Sequence, residues 1–546
     1  MSKICEQHLL DEIRFDIEAK DLLKAKLVLA SLEHVSRNTQ KRALYEVSQA
    51  SDDFSIPLLA GVLANSPNVS KSFPQLRETM FSKVLDSPNV LLDLFSKTKD
   101  PIEMAFLAEV AGEIRLDKAT PLLIDVLDKG DDIKIIGSTL ISLGMIGDPS
   151  SVEAVGKKLY SDNDEIVILA MHILGELATP DAIQKLSEKL GQNPELDRMI
   201  IHTIANVQIP EALEKLNELL SSKYAHVRAA AKQKLGEIGT MSIRFLINNL
   251  KRNDTDLIIH SLNVLGDIGD TAAIAGIRNL LFNEPKDANI RFAAYEALGR
   301  LPLDRGSFAL AAGLEDPVDN VRSAAAKAID QNYNPVLAGG VRNLIRSGNA
   351  QSLSIVGTII NSQCGNIFMD LLEEDFFKEP AIQYLTDKAH PETRAFYSRI
   401  LKNTAFKDLV EHIAPDRLPE KKVKLKIFAV DDSKMVLNIY RTALHNLGYE
   451  SMLFEYPAVA IERVEKAKPD VILTDLNMPN ITGIDLTRGV RKMYTKDELP
   501  IIMVTTQNEG QDDDAAYSAG VNGIIRKPFT ETIIDEALKR LVVNLS

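Results

Sequence analysis

Through the first four hundred residues, apolar side chains recur at i, i+3, i+4 and i+7 in segments separated by short polar breaks. That period puts an apolar stripe on one side of an α-helix. "GDPSSVEAVGKKLYSDNDEIVILAMHILGEL" and "GTMSIRFLINNLKRNDTDLIIHSLNVLGDI" each hold two such segments around an Asp/Asn-rich break, and each reads as a helical hairpin. The pairs Ala111-Gly112, Leu143-Gly144, Leu174-Gly175, Ile204-Ala205, Leu235-Gly236, Leu265-Gly266 and Leu298-Gly299 recur every 30 to 33 residues. The register persists at Ile329-Asp330 and Ile360-Asn361, with further hairpins around Leu44-Val47, Val84-Leu85 and Ala381-Leu385. Neither helix of a pair can bury its stripe alone, so about ten stacked hairpins predict an α-solenoid. Asp162-Asn163-Asp164 and Asn253-Asp254 at the breaks supply oxygens for the unpaired amides that open the following helix. The recurrent Gly marks close helix approach or a helix end.

The pattern dissolves after Leu401 into "LVEHIAPDRLPEKKVK", and then its period changes. We therefore expect a solenoid over 1–410, a linker over 411–424 and an α/β domain over 425–546. Short β-rich apolar runs now alternate with amphipathic helical ones, as βα units on a parallel sheet do. Strands are predicted at about 426–430, 451–454, 470–474, 500–505 and 523–525, with helices near 434–447, 458–466, 485–493, 512–519 and 532–542. In such a sheet the functional crevice lies beyond the carboxyl ends of the strands. Those ends carry Asp431-Asp432, Asp475, Thr505-Thr506 and Lys527-Pro528.

Three converging carboxylates repel one another, and a hard cation relieves the repulsion; Mg²⁺ suits a few carboxylates, a carbonyl and waters. Lys527 and a threonine hydroxyl then fit the oxygens of a phosphoryl group. Together they describe a phosphoryl-transfer site that can leave an aspartyl phosphate.

On these residues the C-terminal domain resembles the receiver domain of two-component response regulators, through "VDDS", "LTDLNMPNITG", "VTTQ" and "RKPF". The solenoid resembles HEAT repeats, most firmly over 104–361. The resemblance implies a flavodoxin-like (βα)5 fold in which Asp475 accepts a phosphoryl group from a sensor histidine kinase or histidine phosphotransfer protein. It implies Mg²⁺ held by Asp432, Asp475 and the Asn477 carbonyl, with Asp431 acting through water. Thr505 and Lys527 would close on the phosphoryl oxygens beside Thr506, and Pro528 would follow a cis peptide bond. Ile524 stands where the family often has Tyr or Phe, which implies that phosphorylation is reported through backbone and helix shifts near 505–517.

Composition narrows the function. A net charge of −14 opposes binding to nucleic acid and anionic lipid. Residues 424–546 hold 15 basic and 18 acidic residues, leaving about −11 for the rest of the chain. Two cysteines give no disulfide framework, and no apolar run reaches the roughly 20 residues that span a bilayer, so a cytoplasmic protein without membrane insertion is expected. No His is followed by Glu, against the iron-hydroxylase variety of HEAT protein, and His172, His202, His226 and His260 fall in different hairpins. No DNA-binding or cyclase segment follows the receiver. The expectation is a signalling protein, not an enzyme, whose receiver is coupled to a HEAT surface that binds an unknown protein target; the short linker leaves room for the receiver to dock. The alternatives are a receiver-controlled solenoid enzyme of bilin-lyase type, and a receiver that only recruits a scaffold to its kinase.

Overall fold

A computed structural model describes residues 6–191, 193–303, 308–413, 425–478, 480–506 and 510–543. The chain divides into two compact units, 1–212 and 213–546. The first unit is built of helix pairs. Its recurrent Gly positions lie near the ends of helices Pro101–Glu113, Ile133–Ile146 and Asp164–Leu177. Asp100, Asp132 and Asn163 cap those helices by accepting amide hydrogen bonds, as the polar breaks predicted.

The glycines serve the stacking of one repeat on the next. A β-carbon at Gly112 would lie 2.7 Å from the backbone Cα of Ser142, which no rotamer change relieves. In the second unit a β-carbon at Gly266 would meet the Cα of Ala297 at 3.0 Å. Gly236 is the exception, with nothing within 4 Å. There the residue follows the sequence register without a steric reason.

The second unit continues the repeats through helices Ala225–Ile238, Thr255–Ile268, Ala288–Arg300, Asp319–Gln331 and Ala350–Asn361. They run on to Leu409–Ile413, which packs on Asp375–Asp387 and Pro391–Leu401 and buries Ile413 completely. The expected linker thus starts inside a helix: residues 411–413 belong to the last solenoid helix, with Ile413 buried. Residues 414–424 of that linker lie outside the described residues.

The same unit contains a parallel five-stranded sheet of order β2-β1-β3-β4-β5. Its strands are β1 (Lys426–Val430), β2 (Glu450–Phe454), β3 (Val471–Asp475), β4 (Ile501–Thr505) and β5 (Gly523–Arg526). Each lies within a residue of its predicted position at either end, and β3 reaches one residue further, taking Asp475 into the ladder opposite Val504. Alternate side chains build two cores. Phe428, Val430, Ile472, Ile501 and Met503 face one set of helices, and Ile427, Ala429, Val471, Leu473, Ile502 and Val504 face the other. Burial on both faces is why these strands read as continuous apolar runs. No described helix is long and apolar enough to cross a membrane.

We expect Gly112→Ala to lower stability by about 1–3 kcal/mol through overpacking. Gly236→Ala should instead gain up to about 1 kcal/mol, from helix propensity alone. Urea midpoints followed by helical circular dichroism distinguish the two.

Candidate functional site

Parallel strands in register deliver their last residues to one level. Val430 pairs with Thr474 and Thr505 with Arg526, so Asp431, Asp475 and Lys527 follow at the same rim. Lys527 Nζ donates to Asp431 Oδ2 and to Asp475 Oδ1, each at 2.7 Å. The other oxygen of Asp475, Oδ2, accepts the amide of Asn477 at 2.8 Å. The Asp475 carboxylate is therefore fixed in orientation and is only 7% exposed.

Burial dominates the electrostatics. Desolvation pushes the Asp431 carboxyl up to about 8, against the pull of Lys527. Asp432 projects into the water of an adjoining groove, but protein closing around that groove desolvates it and pushes it up to about 6, opposed by Lys232. Burial works against the Lys527 ammonium too, yet Asp431 and Asp475 outweigh it and hold its pKa well above the usual lysine value.

Around these groups lies a cavity of about 90 Å³, lined by Asp431, Asp432, Asp475, Asn477, Thr506 and Lys527 among others. By volume it holds roughly three waters. Among the described residues no trio of His, Cys, Asp or Glu is gathered tightly enough to hold a metal, because Lys527 stands between two of the acids. The donor set is nonetheless all hard oxygen, and the buried Asn477 Oδ1 has no hydrogen-bond partner among the described residues. Two carboxylates with a carbonyl and room for waters fit a small divalent cation.

Of the residues singled out in the sequence, Asp431, Asp432, Asp475, Asn477, Thr506 and Lys527 meet at the cavity. Thr505 sits one residue back, 2% exposed, with its carbonyl accepting the Lys527 amide at 2.8 Å. The Lys527-Pro528 peptide is cis. Ile524 is half-buried against the core cluster that also holds Met503 and Val521.

Two kinds of functional residue escaped the sequence reading. Gly483 lies so close beneath the acceptor loop that a β-carbon there would stand 2.1 Å from the Asp475 carbonyl oxygen. Its signal was the Gly after Thr482, whose capping box with Asp485 starts the next helix. The others come from the solenoid. Asn289 Nδ2 donates to the Lys527 carbonyl at 2.7 Å, and Glu296 Oε1 accepts from Ser433 Oγ at 2.6 Å. Nothing in the repeat pattern marks them.

Known proteins bear on this geometry. Residues 427–539 match the response regulator receiver domain model, and residues 243–330 match the HEAT repeats model. Chemotaxis protein CheY1 of Helicobacter pylori is 39% identical over 117 residues, covering 21% of this chain and 94% of that protein. Chemotaxis protein CheY of Pseudomonas aeruginosa is 34% identical over 118 residues, covering 21% and 95%. Among solved structures, Vibrio cholerae CheY4 is 31% identical with a TM-score of 0.21, covering 21% of this chain and 97% of its own. The receiver domain of the sensor histidine kinase PA1611 of Pseudomonas aeruginosa PAO1, described with magnesium coordinated in its active site cleft, is 27% identical with a TM-score of 0.21, covering 22% and 98%.

Gly483→Ala should displace the acceptor loop and cost about 1–3 kcal/mol of receiver stability. A lowered thermal midpoint with retained solenoid helicity is the expected reading.

Proposed function

The chain belongs to the response regulator receiver family through residues 427–539, behind HEAT repeats, and from that premise we propose that it is a phosphorylation-dependent response regulator of a two-component phosphorelay. The observation that carries the reading is the oriented Asp475 carboxylate, held between the Asn477 amide and the Lys527 ammonium at the end of β3. A sensor histidine kinase or a histidine phosphotransfer protein would be the donor. A carboxylate oxygen of Asp475 attacks the phosphorus, the P–N bond of the phosphohistidine breaks, and the imidazole nitrogen leaves with the bonding pair and takes up a proton. The product is an acyl phosphate on Asp475.

Mg²⁺, held by Asp432, Asp475 and the Asn477 carbonyl with Asp431 acting through water, would neutralise charge on the phosphoryl oxygens. Lys527 already spans Asp431 and Asp475, and it needs only a small displacement to meet a phosphoryl oxygen in place of a carboxylate one. Thr506 lines the cavity just beyond the end of β4, with Thr505 one residue behind it. In this reading the solenoid is the output: an extended surface for a protein target, with no catalysis of its own.

Incubation with phosphoramidate and Mg²⁺, followed by intact-mass spectrometry, should add one phosphoryl group per chain. Asp475→Asn or EDTA should abolish it, and Asp431→Asn should slow it about 10–100-fold, as loss of an outer-shell ligand does. Labelling of Asp475→Asn at the wild-type rate would refute the assignment.

A further inference from the structure

The face of the receiver that carries the acceptor cleft is not turned to solvent. Helices Ala225–Ile238 and Ala288–Arg300 of the solenoid lie against it within the same compact unit. Beside the Asn289 and Glu296 contacts, Phe292 packs on the core cluster of Tyr440 and Phe529, and Ala225 enters the opposite core cluster with Ala516. The solenoid thus grips the receiver on both sides of its sheet. At the periphery Arg441 forms an ion pair with Glu392 at 2.6 Å.

The deepest contact is between Arg228 Nη2 and Asp512 Oδ2 at 2.8 Å, with the two side chains 2% and 3% exposed. Two charges leave water at this cost only where the geometry is held. The repeats explain where the site comes from. Arg228, Arg291 and Arg322 open the same kind of segment, "HVR", "NIR" and "NVR". Arg291 pairs with Asp316 in the next turn of the solenoid at 2.7 Å, and Arg322 donates to the Asp316 carbonyl at 2.7 Å. The turn after Arg228 instead reads Arg252-Asn253-Asp254, and Asp254 is engaged in capping its own helix. The carboxylate that completes the Arg228 position comes from the receiver, from the acidic first turn of helix Gly510–Ala519.

The roof of the acceptor cavity is accordingly solenoid, with Lys232, His260, Asn263, Asn289, Phe292 and Glu296 in its lining. The remaining approach is the groove in which Asp432 stands. We propose that helices Ala225–Ile238 and Ala288–Arg300 are a built-in cover over the acceptor cleft, which admits small phosphodonors through the groove but competes with a domain-sized phosphodonor for the same face of the receiver. This rests on the reading of Asp475 as the acceptor. A protein donor must bring its histidine to within bonding distance of Asp475, and that space is taken by Asn289, Phe292 and Glu296. The kind of partner the solenoid face fits is likewise defined: a surface presenting an acidic first helical turn to Arg228, which here is this chain's own receiver.

The test uses a full-length Cys5→Ser, Asn263→Cys chain; the remaining Cys364 is fully buried. Asn263 lines the roof outside the receiver's chemistry. Its thiol is labelled in parallel with iodoacetamide and with a maleimide carrying a long polyethylene glycol chain. We expect iodoacetamide to react in every form. The bulky maleimide should react about tenfold or more faster once Arg228→Ala shifts the closed population. Arg441→Glu, at the periphery and without a core to disturb, should do the same, and adding Glu392→Arg should restore the slow rate. Bulky labelling that is equally fast in the parent and in both variants overturns the cover. Phosphoramidate incorporation in the same chains keeps the two ideas apart. No phosphoryl group on Asp475 in any form defeats the acceptor reading, whereas normal incorporation with labelling rates unchanged by the variants defeats the cover alone.

Discussion

The Lys527 ammonium holds the architecture of the site together. Asp431 and Asp475 sit buried at the ends of adjacent strands, and without the cation between them the rim of the sheet would carry two uncompensated buried acids. The residue also faces the other way: its backbone carbonyl receives Asn289 from the solenoid, and its amide ties β5 to Thr505 at the end of β4. One residue thus registers three strands and the covering helix. A shift of its side chain toward a new anion has immediate neighbours in both parts of the unit.

The rim of the sheet was legible because each of its members closes a short apolar run. A core strand carries its charges at its ends, so Asp431 after "KIFAV" and Asp475 after "VILT" stood out as strand-terminal charges, and Lys527 follows the partly buried "GIIR". The caps at Asn163 and Asp254 were legible for a similar reason, since side-chain oxygens at a polar break have few other uses. The solenoid contacts were not. Periodicity reports which side of a helix is buried against its own repeat; it is silent about side chains such as Asn289 and Glu296 that lie on the polar side and are recruited by partners 238 and 137 residues away. Arg228 is indistinguishable from Arg291 by pattern, and only the composition of the following turn, with Asp316 present in one case and Arg252-Asn253 in the other, separates them.

The same reasoning explains why the compact units do not coincide with the expected domains. The receiver expected over 425–546, with room left for it to dock, lies in one compact unit with the repeats from Leu213 onward. The receiver's own helices cover both faces of its sheet, while Ala225 joins one of the two cores and Phe292 packs against the other, so part of the receiver's apolar surface is closed by a segment that the chain lays down long before it. The core of an α/β domain here includes side chains from an all-α one.

That the covering helices and the receiver share one polypeptide sets the terms on which any rival must act. Two separate proteins held by these contacts would part on dilution; a tethered pair meets at an effective concentration on the millimolar scale, whatever the amount of protein present. A competitor for the covered face therefore sees its apparent affinity reduced by the fraction of time the face is closed. The threshold it must overcome is written into the chain and does not drift with expression level.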